Sequence, residues 1–217
     1  MYIPDFMIAD MCGENFPKTW APSGGPDVGK EFPIENAGPL IEGFDPAFLG
    51  PASYDISVGL KFASPSALQG YVVRKSGNSY ERMRPCNGSM SEIDGSREVK
   101  HPGEGIEVVL EPDQAVLCHS VEYVRVPPHL AAALSMRSSF ARDWLDHSAA
   151  DSIWPGFQGT ITFELRNHGP RPYLLRSGTR PLQLAFVRMA AIPARPYNGL
   201  YQKQEAQLHS RMAKDGV

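Results

Sequence analysis

Helical periodicity is scarce in this chain, and that scarcity constrains the fold more than any other feature. From Pro51 onward the sequence reads as short β-like runs cut by glycine and proline: Ala52 to Phe62, Gly70 to Lys75, Gly105 to Leu110, Gln114 to Val126, Leu130 to Met136, Thr160 to Asn167, Tyr173 to Arg176 and Leu182 to Met189. Short strands of this kind must bury one face against another sheet, so a sandwich or barrel is expected. Two short helices are predicted, one in the first dozen residues and one over Ser138 to Leu145 with a serine placed to cap it.

The stretch from Cys12 to Pro51 has no sustained period and is dense in the chain's 20 glycines and 20 prolines. It reads as a long arm, and Trp20, Phe32, Ile34, Leu40, Ile41, Phe44 and Phe48 favour docking over free solvation. The tail, Tyr197 to Val217, is polar and irregular, either a frayed terminus or a flap that orders over a ligand. The expected organisation is an N-terminal segment and arm over 1–50, a β domain over 51–196 and a C-terminal flap or tail over 197–217. A chain of 217 residues, 42% hydrophobic, supports one globular domain with long connections.

Charge and cysteine usage exclude several classes. With 21 Lys+Arg against 24 Asp+Glu, the net charge of -3 sets up no broad field for a nucleic-acid backbone, although a local pocket for a small polyphosphate stays open. No apolar run approaches the roughly 20 residues that span a bilayer, and no signal-peptide pattern opens the chain, so no membrane partner and a cytoplasmic location are expected. Cys12, Cys86 and Cys118 are widely spaced, which offers neither a disulfide framework nor a CxxC knuckle. The H-x-E and P-C-x-x-C segments of zinc nucleobase deaminases are missing, and the histidines show no paired ligand spacing, so no zinc and no metal ligands are expected. There is no G-x-S-x-G elbow, no P-loop and no G-x-G-x-x-G fingerprint.

Two segments could carry chemistry. Arg137-Ser138-Ser139-Phe140-Ala141-Arg142 places two guanidiniums and two hydroxyls at a strand-to-helix junction, where forked donors, short hydroxyl bonds and a helix start all suit phosphate. Taken alone it is more often a solvated turn. Ile161 to Asn167 alternates apolar and polar, so Glu164 faces opposite to Ile161, Phe163 and Leu165. That carboxylate is either an exposed strand residue or, if its face lines a pocket, a general base tuned by its surroundings.

The order of motifs resembles the trimeric dCTP deaminases, which share a β-fold with the dUTPases. Phe44-Asp45-Pro46 and Pro51 to Gly59 (PASYDISVG) look like an early P-A-S-Y-D element, and Arg137 to Arg142 matches an R-S-S-x-A-R signature. His147 to Ala150 with Pro155-Gly156-Phe157-Gln158-Gly159, then Thr162 to Leu165, then Gly178 to Phe186, then Arg195 to Asn198 and Tyr201 to Gln204 with Ser210-Arg211, follow in the family's order. The resemblance implies a mainly β, dUTPase-like distorted barrel or jelly roll, and a homotrimer acting on a pyrimidine nucleoside triphosphate. It further implies that Arg137, Ser138, Ser139 and Arg142 hold the triphosphate with Mg2+, and that Ser138, Arg142 and Glu164 form the catalytic group. Glu164 would take a proton from a water near the Ala150 carbonyl, main-chain groups of Phe163 and Glu164 would read the base, and Tyr197 and Gln204 would close over the nucleotide.

The departures are specific. The family's Asp before Pro-Gly, which bonds the sugar 3′-hydroxyl and in bifunctional members activates the water that cleaves the triphosphate, is here Trp154. An indole offers neither a base nor an acceptor, so triphosphate cleavage by the family route is not expected. The interval between Arg142 and His147 is one residue short, and Leu200 stands where the flap carries a phosphate-binding Lys, with Lys203 out of register. The expected activity is hydrolysis of dCTP or a related cytosine nucleotide to dUTP and ammonia without zinc. The alternatives are an enzyme of altered nucleotide specificity, a dUTP pyrophosphatase, or a non-catalytic nucleotide-binding regulator.

Overall fold

The computed structural model describes residues 1–13, 19–20, 32–33, 38–86, 90–147 and 150–210. In chain order the elements are α1 (Asp5–Cys12), β1 (Thr19–Trp20), β2 (Phe32–Pro33), β3 (Ile41–Glu42), a 3-10 turn (Pro46–Phe48), β4 (Leu49–Gly50), β5 (Ser53–Ile56), β6 (Lys61–Ser76), β7 (Ser79–Pro85), β8 (Met90–Asp94) and α2 (Gly95–Glu98). They continue with β9 (Glu104–Leu110), β10 (Ala115–Arg125), β11 (Leu130–Met136), α3 (Ser138–Arg142), β12 (Leu145–Asp146), β13 (Ser152–Ile153), β14 (Gln158–Asn167), β15 (Tyr173–Arg176) and β16 (Leu182–Arg188). The chain is mainly β with short helices, as expected. Besides a two-stranded ribbon of β1 and β2, the described strands form a distorted pair of open antiparallel sheets instead of a closed barrel, one with the path β12-β14-β10-β6-β9-β15 and the other β13-β11-β16-β5-β4.

The two sheets share one apolar cluster. Tyr54 and Ile56 of β5, Phe62 of β6, Phe163 of β14, Leu134 of β11 and Phe186 of β16 all belong to it, and Tyr54, Phe62, Phe163 and Phe186 are fully buried. Burial of each such side chain contributes about 1.5–3 kcal/mol relative to exposure. Leu40 and Ile41 of the arm lie in this core, and the Phe44 and Phe48 rings pack tilted and edge-on against Tyr54 at 5.3 and 6.3 Å, so this part of the arm docks. The side chains of Trp20, Phe32 and Ile34 lie outside the described residues.

Several boundaries differ from the sequence reading. Ala52 to Phe62 is two strands, because the chain crosses between sheets at residues 57–60. There the Val58 N–H donates to the Thr179 carbonyl at 2.8 Å and Gly59 donates to His119 at 2.7 Å. Gly59 lies flat against the His119 ring, where a Cβ would come within 2.0 Å, so only glycine fits the crossing. Gly70 to Lys75 is a segment of the 16-residue β6. β7 and β8 were not anticipated. Every residue of β7 is exposed, so it lacks the one-sided alternation that reveals a strand. α3 is capped by Arg137 with no side-chain hydrogen bond, so the expected serine cap is absent, and a helix of five residues adds little dipole. Among the described residues no helix is long and apolar enough to cross a membrane.

Candidate active site

Glu164 sits midway along β14, opposite Leu117 of β10, and both line a cavity of about 410 Å³. Alternation along β14 sends Phe163 and Leu165 into the core and leaves Thr162 and Glu164 on the cavity side. One carboxylate oxygen of Glu164, Oε2, is buried and has no hydrogen-bond partner among the described residues. A carboxylate left this way is costly unless a proton, water or ligand completes it. Behind it, burial pushes the Cys118 thiol well above its usual value, and the nearby negative charge of Glu164 adds to the shift, so Cys118 stays a protonated spectator.

The remaining walls come from two segments. The first is the segment before β14, with Ala150, Ser152 and Ile153 of β13, Trp154 and Phe157. The second is the tail, with Tyr197, Tyr201, Gln204, Gln207, Leu208, His209 and Ser210. Residues 197–210 are therefore docked, neither frayed nor standing off the β domain. Tyr197 N–H donates to the Pro155 carbonyl at 2.7 Å, Lys203 N–H to Gln158 at 2.7 Å, and Thr160 N–H to Gln204 at 2.9 Å. Gln204, 5% exposed, donates its side-chain amide to the Thr160 carbonyl at 2.8 Å and keeps Oε1 buried without a partner among the described residues. Two glycines make this docking possible. A Cβ on Gly156 (φ +94) would lie 2.8 Å from Pro196, and one on Gly159 (φ +148) would lie 2.9 Å from the Gln204 carbonyl oxygen.

The structure divides the residues expected from the sequence. Glu164, Ala150, Trp154, Tyr197 and Gln204 share the cavity. Phe163 has its side chain in the core, which leaves only its main chain for recognition, and the Glu164 carbonyl is taken by His147 Nδ1 at 3.0 Å. Arg137, Ser138, Ser139 and Arg142 do not line the cavity of the same chain. Ser138, Ser139 and Arg142 are exposed on α3, and among the described residues their side chains make no hydrogen bond. Arg137 is half-buried and pairs with Asp55 at 3.1 Å.

Trp154 lines the cavity and is 60% exposed, so it fills no gap in this chain's core. The short interval after α3 is absorbed by a tight turn in which Trp144 takes a left-handed φ of 62 and donates its N–H to Ala141 at 3.1 Å. Thr162, two positions before Glu164 on one strand, was recoverable from the period of two. Gln207, Leu208 and His209 lie in irregular chain and gave no signal.

Fold and cavity together define a mainly β protein with a carboxylate set in a ring-sized, tail-covered pocket. The chain belongs to the dCTP deaminase-like family, whose model matches residues 34–189. Among curated relatives, it is 34% identical over 134 residues to a protein of Aquifex aeolicus named dCTP deaminase, dUMP-forming, covering 58% of this chain and 74% of that one. It is 30% identical over 182 residues to a protein of the same name from Methanopyrus kandleri, covering 82% and 87%. The solved structure of 2′-deoxycytidine 5′-triphosphate deaminase from Agrobacterium tumefaciens aligns at 22% identity and a TM-score of 0.46, covering 85% of this chain and 47% of that one. The present chain thus spans about half the length of that protein.

Proposed function

We propose that this chain hydrolyses the exocyclic amine of a cytosine nucleoside triphosphate, dCTP or a close relative, giving the uracil nucleotide and ammonia. The observation that carries the reading is Glu164 itself: a carboxylate with one unpartnered buried oxygen, in a mostly apolar cavity also lined by Ala150. Such walls suit a flat base, and the carboxylate suits proton transfer. Glu164 takes a proton from water as the water oxygen adds to C4 of cytosine, and passes it to N3. It then moves the proton of the new C4 hydroxyl to the exocyclic amine, so the C4–N bond breaks and ammonia leaves as the carbonyl forms. The base in this scheme is a side chain, and no zinc is invoked.

Arg137, Ser138, Ser139 and Arg142 bind the phosphates. Their donor set of guanidiniums and hydroxyls fits phosphate oxygens and includes no carboxylate for a cation, so Mg2+ is assigned to the nucleotide it accompanies. Because these groups lie outside the Glu164 cavity of their own chain, we assign the complete site to the junction of two copies within a homotrimer. Trp154 supplies a flat apolar face where an acceptor would bond the sugar, which favours a relaxed or redirected sugar choice and dUTP rather than dUMP as product.

Incubation with a panel of pyrimidine nucleotides and magnesium, with ammonia and nucleotide products resolved by chromatography, tests base, sugar and cleaved bond together. Ammonia with an intact triphosphate is expected. Binding without ammonia would leave a regulator, and pyrophosphate from dUTP would point to another base, Asp151 first. A strict monomer that turns over nucleotide would sink the shared site.

A further inference from the structure

We infer that Asp55 is the positioning residue for Arg137, holding its guanidinium so that one edge alone faces the nucleotide phosphates. The inference rests on the phosphate-binding role proposed above for Arg137. Arg137 follows β11, whose end pairs with the start of β16, and Asp55 lies on β5 on the far side of β16, in register with Gln183. The side chain therefore reaches across three neighbouring strands. Its Nη1 meets Asp55 Oδ2 at 3.1 Å and donates to the Arg180 carbonyl at 2.9 Å. One contact is a hydrogen bond and the other an ion pair, and both fall on Nη1, so this nitrogen is held between a carbonyl and a carboxylate. The guanidinium also lies 5.9 Å from the Phe140 ring centroid, and Nη2 and Nε make no hydrogen bond or ion pair among the described residues, so the fork that matches a phosphate is the edge left open.

The backbone fixes the same arrangement from the other end, because Arg137 N–H donates to the Pro181 carbonyl at 2.8 Å. Asp55 is itself confined. Its side chain is 22% exposed, and Arg180, whose guanidinium stacks 3.4 Å from the Phe48 ring centroid, adds a second positive charge nearby. Burial raises the Asp55 carboxyl, and Arg137 then Arg180 pull it back toward the ionised form. A long, flexible side chain anchored at one nitrogen has lost most of its freedom before ligand arrives, so less is lost when phosphate binds.

The test is a cycle of D55A, D55N, R137A and D55A/R137A, read by KM and kcat for dCTP and by melting temperature. D55A is expected to raise KM about tenfold, roughly what part of one charge-assisted contact supplies, with kcat within about threefold. D55N keeps an amide oxygen as acceptor and is expected to recover most of the KM. In the R137A background, D55A is expected to add nothing further to KM, whatever it does to melting. An equal D55A effect with and without Arg137 would make Asp55 merely structural and overturn the inference. A normal R137A defect beside an unchanged D55A would overturn it as well, while an R137A chain with unaltered KM would remove the phosphate role itself.

Discussion

The Glu164 cavity and the α3 segment are built in opposite ways. Around Glu164 the chain supplies its own cover: the segment before β14 and the tail wrap the carboxylate, and two glycines let them approach at backbone distance. On α3 the side chains offered for phosphate stand on the surface, uncovered by any described residue, and only Arg137 is anchored. One region is finished by its own chain and the other is not. Under the function proposed above, the first carries the chemistry and the second a binding contribution that a second copy would complete.

That contrast can be broken in order of effect. Glu164→Gln keeps the shape and cannot accept the proton, so turnover should fall by about 10²–10⁴ while nucleotide binding persists in a direct titration. Near-normal ammonia release would return Glu164 to an ordinary strand carboxylate. Arg142→Ala removes a charge-assisted contact, and triphosphate affinity should drop about ten- to hundredfold with little change in melting temperature. Unchanged affinity would take α3 out of the site. Gly159→Val places a Cβ against the Gln204 backbone, so the tail should become cleavable by trypsin and turnover should fall about tenfold, with the sheets intact by circular dichroism. A protected tail would show that its docking does not depend on that glycine. Trp154→Asp should leave stability unchanged and alter relative rates among sugar variants by several-fold; identical rate ratios would remove Trp154 from recognition.

Much of this was legible in the sequence because the informative residues obey local rules. β11 and β15 were read with their observed bounds, and Glu164 fell on the predicted face, since period-two alternation follows directly from one-sided burial. β7 escaped because both of its faces meet solvent. The joining of Glu164 with Ala150 and Gln204 was legible only through motif order, because contacts across 40 residues leave no periodic trace. The tail was the hardest part: its docking depends on main-chain hydrogen bonds to β14, and backbone donors are the same in every residue.

The tail also acts as an extra strand. Gln204 bridges Gly159 in parallel fashion, and the tail satisfies the Gln158 carbonyl and Thr160 N–H on the side of β14 that β10 does not cover. Were the tail to lift for a ligand, as the proposed function requires, that edge would lose its partner and become a template for pairing with another chain. The proposed nucleotide exchange and resistance to aggregation would then depend on the same few hydrogen bonds, and a preparation saturated with nucleotide is expected to stay dispersed at concentrations where the free protein clusters.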